Sequence, residues 1–485
     1  MKDYLYRIFL TIIICALLSL NHTSCVRPNN FTDASEHPVE ESGRFPDYVY
    51  DEEMAQLVSN KGAYAAEQGY YYAVNHLLYF YDTESEQPIL LCTKVSCSHS
   101  DENCSAYVET EINSSNSRIM KQGGYLYLFS TDDNYDIWVD RYDPDYTEKK
   151  RLFCLTKSTD SPRTLLGDIY GTYVRDGWLY YTTFLQDEEK YKNQDYSTTV
   201  SFNRIRLQKN AEPETLYSYE STSGYGRIMA SNKDIFCITI GNPWGNVDKA
   251  NYQQCVIRYN ESDGAEMIWE YAGSERKNLL GAEGEGPESI NSSIMNRDGK
   301  LIYLTNRKVG KGFEGKENMP EFQGVGLPSD CTVVGEIDLY TGESKVIYET
   351  PYWWITRLST DGKYYYILEQ GCYDMFLTAL DTEGNVIRRY HIENTEAFAA
   401  MMDEEIERND GAMCNNRGDI YIMLTDARYL MLRIKESNDY KDLHGNRELK
   451  PLEDPPSITT AVGVISTEDF LSGKEVKIRQ IFALN

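Results

Sequence analysis

Turn residues and short apolar or aromatic runs alternate along most of this chain. In the clearest copy, residues 361–387, the pair Asp361-Gly362 precedes the apolar and aromatic run 364–368, and the run 376–380 precedes another turn. Asp-Gly supplies the left-handed backbone of a tight hairpin, and aromatic and β-branched residues suit a pleated strand. The pattern therefore predicts a turn, two strands, a second turn and a third strand.

The same unit occurs seven times, anchored near residues 69, 124, 177, 234, 299, 362 and 418. Each copy presents an apolar face that only a neighbouring copy can cover, so the copies must stack. A closed ring also removes most free sheet edges. We therefore predict an all-β fold, a seven-bladed β-propeller over residues 61–485. The alternatives are six or eight blades, or hairpins divided between two β-sandwiches.

The N-terminal residues have the features of an export signal. Lys2 and Arg7 precede the apolar run 8–20, which is too short for a comfortable membrane span and suits a signal-peptide core. Ser24-Cys25 then places a small residue before a cysteine, which resembles a bacterial lipobox. We predict a lipoprotein signal peptide at 1–25 with lipidation of Cys25. An ordinary secretory signal is the alternative.

Polar, turn-rich residues follow the signal. Residues 26–60 predict a tether between the lipid and the ring. Within them, residues 51–58 predict either a short helix or the outer strand of the blade that closes the ring. At the other end, residues 476–484 begin with the apolar and polar alternation of a half-buried strand, which we expect to close the ring against the first blade.

The charge balance limits the partners. The net charge is −28, from 48 Lys and Arg against 76 Asp and Glu. A protein that binds phosphates needs a basic face, so we predict no nucleic-acid binding and no direct binding of anionic lipid headgroups. The charge suits an exported protein or one that holds cations or basic partners.

Three cysteines and a histidine are clustered as C-x4-C-x-H-x4-C, at Cys92, Cys97, His99 and Cys104. Four such ligands can close a tetrahedral shell around a structural zinc ion, which would order a loop with little apolar content. The histidine favours a metal, whereas an exported location favours one disulfide, from Cys104 to Cys97 or to Cys92. Inert thiols are the third alternative. The remaining cysteines of the ring are interpreted as small buried hydrophobes: Cys154, Cys237, Cys255, Cys331, Cys372 and Cys414.

A family resemblance is carried by residues 88–99, PILLCTKVSCSH, and 104–107, CSAY, which lie behind the lipobox and before the Tyr-rich repeats. This combination resembles a group of lipoproteins from anaerobic gut bacteria, similar to the low-density-lipoprotein-receptor-type β-propeller domain of unknown function. The resemblance implies the propeller fold and an extracytoplasmic, membrane-anchored location. It implies no reaction.

Catalytic signatures are absent from the sequence. It contains no H-E-x-x-H, G-x-S-x-G or Walker A motif. Residues 310–315 match G-x-G-x-x-G without the βαβ context that the motif requires, so we interpret them as a loop. Arg417-Gly418-Asp419 falls in a turn of the repeat. The aromatic residues 352–354 could stack on a sugar, but packing between blades is favoured. We therefore predict no catalytic residues.

Long segments interrupt three of the predicted hairpins, at residues 186–200, 242–252 and 310–331. They should project from one face of the ring, where binding sites of such scaffolds collect. We predict a binding or interaction module for an extracellular protein or glycan. The alternative is a glycan-active enzyme that uses acidic residues on this loop face.

Overall fold

The computed structural model describes most of the chain beyond residue 44. The described residues are 45, 48–59, 62–74, 76–94, 96–108, 118–132, 134, 136–157, 163–166, 171–186, 189–190, 193, 198–221, 226–239, 253–272, 275–277, 292–308, 330–350, 354–370, 375–392, 419–437 and 458–484. The predicted signal peptide at 1–25, with Cys25, lies outside them, as does most of the predicted tether at 26–60.

Antiparallel sheets, here called blades 1 to 7, follow one another along the chain. Blade 1 contains β1 (Ala63–Ala66), β2 (Gly69–Val74), β3 (Leu77–Asp82) and β4 (Gln87–Leu90). Blade 2 contains β5 (Arg118–Gln122), β6 (Tyr125–Thr131), β7 (Ile137–Tyr142) and β8 (Lys149–Thr156). Blade 3 contains β9 (Arg163–Leu166), β10 (Tyr173–Arg175), β11 (Trp178–Gln186), β12 (Thr198–Arg206) and β13 (Glu214–Ser221). Blade 4 contains β14 (Gly226–Ala230), β15 (Ile235–Thr239), β16 (Gln253–Asn260), β17 (Gly264–Ala272) and β18 (Glu275–Lys277).

The remaining blades have four strands each. Blade 5 contains β19 (Ser292–Met295), β20 (Lys300–Lys308), β21 (Asp330–Asp338) and β22 (Ser344–Glu349). Blade 6 contains β23 (Trp354–Thr360), β24 (Tyr365–Gln370), β25 (Met375–Leu380) and β26 (Val386–His391). Blade 7 contains β27 (Asp419–Thr425), β28 (Tyr429–Ser437), β29 (Ile458–Ser466) and β30 (Arg479–Leu484). Two helices accompany the described strands, α1 (Glu52–Val58) and α2 (Thr467–Leu471).

Strand order within every blade follows the chain, so each blade is a meander. In blade 3 the first strand is divided, because β9 and β10 both pair with β11. First strands of neighbouring blades contact one another around a central channel. The fold is a seven-bladed β-propeller, which confirms both the predicted architecture and the predicted number of blades.

The turn chemistry that predicts the repeat is present in the structure. Gly362 has φ +90°, the left-handed conformation that favours glycine. The Asp361 carboxylate accepts hydrogen bonds from the backbone N–H groups of Lys363 and Tyr364, at 2.8 and 2.7 Å. Gly and Asp thus fix the hairpin between β23 and β24.

Apolar clusters fill the spaces between blades. Phe129 of blade 2 packs in one cluster with Leu179 of blade 3, and Phe236 of blade 4 packs in another with Leu301 of blade 5. Burial falls outward within a blade: β2 is buried along its whole length, whereas β4 is exposed or half-buried. Each blade therefore depends on its neighbours for its core, as the stacking argument requires.

The two faces of the ring differ in the length of their connections. First and second strands are joined by short turns, such as residues 123–124 and 176–177, at what we call the short-turn face. Second and third strands are joined at the opposite end, the long-connection face, where residues 187–197, 240–252, 309–329 and 438–457 make the joins. Antiparallel order places the strand ends that these segments join at that face, together with the strand ends joined by the connections between blades. The shared face was predicted for the first three segments, and residues 438–457 add a fourth.

The C-terminal strand closes the ring against the first blade, as expected, since β30 contacts β4 and Ile481 packs in the same apolar cluster as blade 1. The form of the closure differs from the expectation. Strand β30 was expected to pair with the first blade, but it pairs with β29 at the outer edge of blade 7. Side chains join the two blades instead. Arg428 donates to the backbone oxygens of Glu67 and Ala66, both at 2.7 Å, and Arg479 forms an ion pair with Glu86. Strand β29 lies close to β30 in the sequence, so β30 pairs with the free edge of β29 and not with a strand of blade 1.

Residues 51–58 form a helix, the first of the two alternatives. Asp51 caps α1 by accepting a hydrogen bond from Met54 N at 3.0 Å. The Gln56 side chain donates to Val174 O at 2.9 Å and accepts from Val174 N at 3.0 Å. Thus α1, although it lies in the predicted tether, is docked on the inner strand of blade 3. Among the described residues, no helix has the length and apolar character needed to cross a membrane.

Candidate metal centre

The cysteine and histidine cluster lies on the connection from blade 1 to blade 2. The chain leaves β4 at Leu91, whose N–H donates to Leu78 O at 3.0 Å. It returns at Ala106, whose carbonyl accepts from Leu78 N at 2.9 Å. Ser105 Oγ donates to Leu91 O at 3.1 Å and ties the two limbs together. Both ends of the loop are therefore fixed to the outer part of blade 1.

A tight local fold aims the ligand side chains inward. Ser96 and His99 have φ +61° and +57°, a left-handed conformation that is uncommon for residues other than glycine. Cys104 N donates to Asp101 O at 3.0 Å, which closes a turn immediately before the last ligand. Such strained backbone persists where the surrounding structure requires it, and it is frequent at ligand sites.

All four predicted ligands converge. The donor atoms of Cys92, Cys97, His99 and Cys104 lie within 4.8 Å of one another. His99 Nδ1 and Cys104 Sγ are 3.3 Å apart. In a tetrahedral zinc site, bonds of about 2.3 Å to sulfur and 2.0 Å to nitrogen hold these two atoms roughly 3.5 Å apart. The three sulfurs and one nitrogen can therefore bind a metal ion such as zinc with small movements.

Burial is graded across the cluster. Cys92 and Cys104 are buried in the same apolar cluster as Leu91 and Ala106, whereas Cys97 and His99 are half-buried. All three cysteines are free thiols in the structure. Two ligands thus face the core and two face solvent, so an ion can reach the site without opening the blade.

The buried thiols differ in acidity. Burial raises the pKa of Cys104 to about 12, and the thiols of Cys92 and Cys97 add to the rise. Burial also acts to raise the pKa of Cys92, but hydrogen bonds from Lys94 N and the neighbouring thiols outweigh it and leave that pKa below its usual value. Cys92 therefore ionises before Cys104. A metal ion needs thiolates, so its binding releases protons and weakens as the pH falls.

Other sequence assignments fall on different parts of the chain. Cys237 and Cys255 are buried in the apolar cluster between blades 3 and 4, which confirms their interpretation as small hydrophobes, and Cys154 is half-buried on β8. The following lie outside the described residues: Cys25, Cys372, Cys414, residues 310–315, residues 352–353 and residues 417–418. Cys331 lies within β21 and Trp354 begins β23, but the side chains of both lie outside the described part.

Sequence reasoning missed the basic lining of the central channel. Arg118, Arg175 and Arg227 belong to the first strands β5, β10 and β14, and more than fifty residues separate each from the next. The signal that could have found them is an arginine near the first strand of successive copies of the repeat. It becomes visible only once the first strands are known to surround one channel.

Comparisons with known proteins add fold likenesses alone. No family model and no curated protein matches the chain. Solved structures that resemble it include TolB from Acinetobacter baumannii, with 11% identity over 68% of this chain and 61% of that chain and a TM-score of 0.33. A prolyl endopeptidase structure has 10% identity over 88% of this chain and 51% of that chain, with a TM-score of 0.45.

An α-L-arabinanase from Cellvibrio cellulosa, in complex with arabinohexaose, has 13% identity over 56% of this chain and 93% of that chain, with a TM-score of 0.28. Against the first two structures, the chain spans between half and two thirds of their length. Identities and TM-scores this low carry no functional information. The propeller fold rests on the seven sheets themselves.

Proposed function

We propose that this chain is an exported, lipid-anchored β-propeller that binds an extracellular protein or glycan and whose first inter-blade loop is held by structural zinc. The observation that carries the binding role is the asymmetry of the ring. Short turns close one face, whereas the strands joined by residues 187–197, 240–252, 309–329 and 438–457 end at the long-connection face. Loops on a rigid scaffold are where binding residues concentrate.

The zinc role follows from the donor set and from the loop's composition. Residues 93–103 are mostly polar and exposed, so little apolar burial holds them in place. Metal ligation supplies the missing stability, because the ion binds the folded loop and not the unfolded one. The metal is a staple at the junction of blades 1 and 2, and the binding residues lie elsewhere on the long-connection face.

Elemental analysis with thiol counting tests the zinc staple on the full chain purified in detergent. We expect a single zinc ion per chain, its loss in Cys104→Ser, and its retention in Cys154→Ser, which removes a half-buried thiol outside the cluster. Chelation should lower the melting temperature of the wild type and leave that of Cys104→Ser unchanged. A protein without metal and with two fewer free thiols has a disulfide in this loop and contradicts the proposal.

Membrane attachment follows from the lipobox-like Ser24-Cys25 and from the resemblance to extracytoplasmic lipoproteins. Two or more acyl chains give a stable anchor, which lipoprotein maturation supplies. In a bacterial host, labelled palmitate should enter the wild type and not Cys25→Ala, and the variant should leave the membrane fraction. Equal labelling of both proteins would place the lipid on another residue. Absence of label from the wild type would exclude lipidation.

Glycan and peptide arrays test the binding role, with a parallel assay for release of products. We expect retention of a ligand without turnover. Replacing residues 309–329 or 438–457 with a short Gly-Ser turn should weaken that binding, while Lys363→Ala on the short-turn face should not. Turnover of an arrayed glycan would favour the alternative, an enzyme. Binding that survives both replacements would move the site away from these loops.

A further inference from the structure

A buried tyrosine of blade 2 lies beside the metal centre, at the junction between blades 1 and 2. Tyr142, the last residue of β7, belongs to the same apolar cluster as Cys92 and Cys104. Val139, three residues earlier on the same strand, packs with residues of blade 3 instead. Successive side chains of a strand point to opposite faces, so Tyr142 lies on the face of β7 that is turned towards blade 1.

The loop that carries the ligands is bonded to blade 2 beside this tyrosine. Lys149 of β8 lies opposite Tyr142 in the strand register. Its Nζ atom donates to Tyr107 O at 2.9 Å, three residues after the ligand Cys104. Leu77 of blade 1 forms an isolated antiparallel bridge with the same Tyr107. The end of the ligand loop is therefore held between the two blades, next to the position of Tyr142 on β7.

The Tyr142 hydroxyl is a buried donor without an acceptor. The residue is 0% exposed, and no described residue forms a hydrogen bond with its Oη atom. Burial raises the pKa of this hydroxyl well above its usual value, and the charges of Asp140 and Cys104 add to the rise. The hydroxyl therefore stays protonated, and it is close enough to Cys104 to be affected by its charge. A buried donor without an acceptor costs free energy, so its presence needs an explanation.

A thiolate at Cys104 is the acceptor that this hydroxyl lacks. A thiol sulfur accepts hydrogen bonds weakly, whereas the sulfur of a metal ligand is a thiolate and carries negative charge. Three thiolates and a neutral imidazole exceed the charge of a divalent ion, so negative charge remains on the sulfurs. Hydrogen bonds from outside the ligand set orient the ligands and tune their donor strength, and their loss commonly weakens metal binding.

We propose that Tyr142 is a positioning residue of the metal centre, which donates a hydrogen bond from its Oη atom to Cys104 Sγ. This role rests on the proposed zinc staple and deepens it, because the four ligands all lie on the connection that leaves blade 1, whereas Tyr142 belongs to blade 2. The hydrogen bond thus ties the metal centre to the second blade. It also gives an acceptor to a hydroxyl that has none among the described residues.

Metal competition on the full chain purified in detergent tests this role, with zinc alone as the probe. Tyr142→Phe removes the hydroxyl and keeps the ring, so we expect the zinc affinity, measured against a chelator of known affinity, to fall about tenfold or more. Tyr72→Phe is the matched control, because its hydroxyl is also buried in the same cluster without a hydrogen-bond partner among the described residues. Burial and the charges of Tyr79 and Tyr81 raise the pKa of Tyr72, whereas no cysteine contributes. Tyr72→Phe should therefore bind zinc like the wild type.

Two further readouts separate the support of a ligand from a general role in packing. With cobalt(II) in place of zinc, the sulfur-to-cobalt absorption should move to longer wavelength in Tyr142→Phe, because loss of a hydrogen bond raises the energy of the sulfur lone pairs. With excess chelator, the melting temperature of Tyr142→Phe should equal or exceed that of the wild type, since the variant removes a buried hydroxyl that has no acceptor. Tyr72→Phe should leave the cobalt spectrum unchanged.

The outcomes distinguish the role of Tyr142 from the staple itself. A wild-type chain that binds no zinc removes both proposals. A wild type that binds zinc, with both variants equal to it or equally weakened, overturns the role of Tyr142 and leaves the staple intact. A zinc-bound crystal structure of the wild type covers a variant that fails to fold. It should place Tyr142 Oη within hydrogen-bond distance of Cys104 Sγ, and a hydroxyl that points away from this sulfur overturns the role.

Discussion

At the residue scale, one buried arginine joins the ends of the ring. The side chain of Arg428 is 1% exposed. Its Nε and Nη2 atoms donate to Asp426 Oδ2 at 3.0 and 2.8 Å, and its guanidinium lies 3.7 Å from the centre of the Tyr48 ring. Tyr70 Oη donates to the other Asp426 oxygen at 2.6 Å. The charge is thus surrounded by partners from blades 1 and 7 and by Tyr48, which precedes α1.

Replacing Arg428 should be costly because it leaves Asp426 buried without its cation. We expect Arg428→Met to lower the free energy of unfolding by about 3–5 kcal/mol, since breaking a buried pair exposes its desolvation cost. Lys474→Met is the control, because its ion pair with Asp469 is largely exposed and should contribute less than about 1 kcal/mol. Urea unfolding measures both. Similar midpoints for the two variants would show that Arg428 does not hold blades 1 and 7 together.

Sequence proximity decides which of these residues can be predicted. The four candidate ligands fall between Cys92 and Cys104, so their spacing alone points to a shared site. Tyr70 and Asp426 are 356 positions apart, and no local pattern links them. The left-handed conformation of His99 is equally invisible in the sequence, because it depends on how the loop is fixed at both ends.

At the element scale, two hairpin turns show how blades constrain each other. Gly264 and Gly384 have φ +77° and +88°. A Cβ atom at Gly264 would meet nothing within 4 Å, whereas one at Gly384 would overlap the carbonyl oxygen of Ile347 in blade 5. The first turn needs glycine for its own backbone. The second also needs it for the packing of blade 6 against blade 5.

The pair Gly384→Ala and Gly264→Ala separates these two requirements. Both variants force alanine into the left-handed region, which costs about 1–2 kcal/mol. Gly384→Ala must in addition displace the turn from Ile347, so we expect it to lower the free energy of unfolding by clearly more. Chemical unfolding of both proteins under the same conditions measures the difference. Equal losses would mean that the turn moves away from blade 5 at no cost.

Short elements mark the limit of prediction at this scale. The Asp-Gly turns predict the β23–β24 hairpin because turn and strand chemistry agree locally. Residues 51–58 left helix and strand both open, since seven helical residues give too few periods to decide. Docking of Gln56 on Val174 joins positions 118 apart and fixes α1 at the channel. The helix is therefore positioned by tertiary contacts that the sequence does not display.

At the scale of the whole molecule, the ring closes without exchange of strands. Blade 1 is built from residues 63–90 and blade 7 from residues 419–484, and neither takes a strand from the other. No strand of blade 1 pairs with a strand of blade 7 among the described residues, but an isolated antiparallel bridge joins Ser59, just after α1, to Leu424 of β27. Side chains and the packing of Ile481 and Tyr429 with blade 1 complete the join. Evenly spaced repeats predict seven blades, but they leave the form of closure open. The tail lies against blade 1 as expected, whereas its strand pairs within blade 7.

Removing β30 should therefore affect both the outer edge of blade 7 and the contact between blades 7 and 1. A chain that ends at residue 478 loses the partner of β29 and the buried Ile481, whereas the Arg428 network stays intact. We expect it to fold with a melting temperature several degrees lower and to self-associate through the uncovered edge of β29. Arg479→Gln is the control, because it removes only the half-exposed partner of Glu86 and should remain like wild type. Light scattering after size exclusion and thermal unfolding measure both effects. A truncated chain with the wild-type melting temperature and oligomeric state would show that the first three strands of blade 7 close the ring alone.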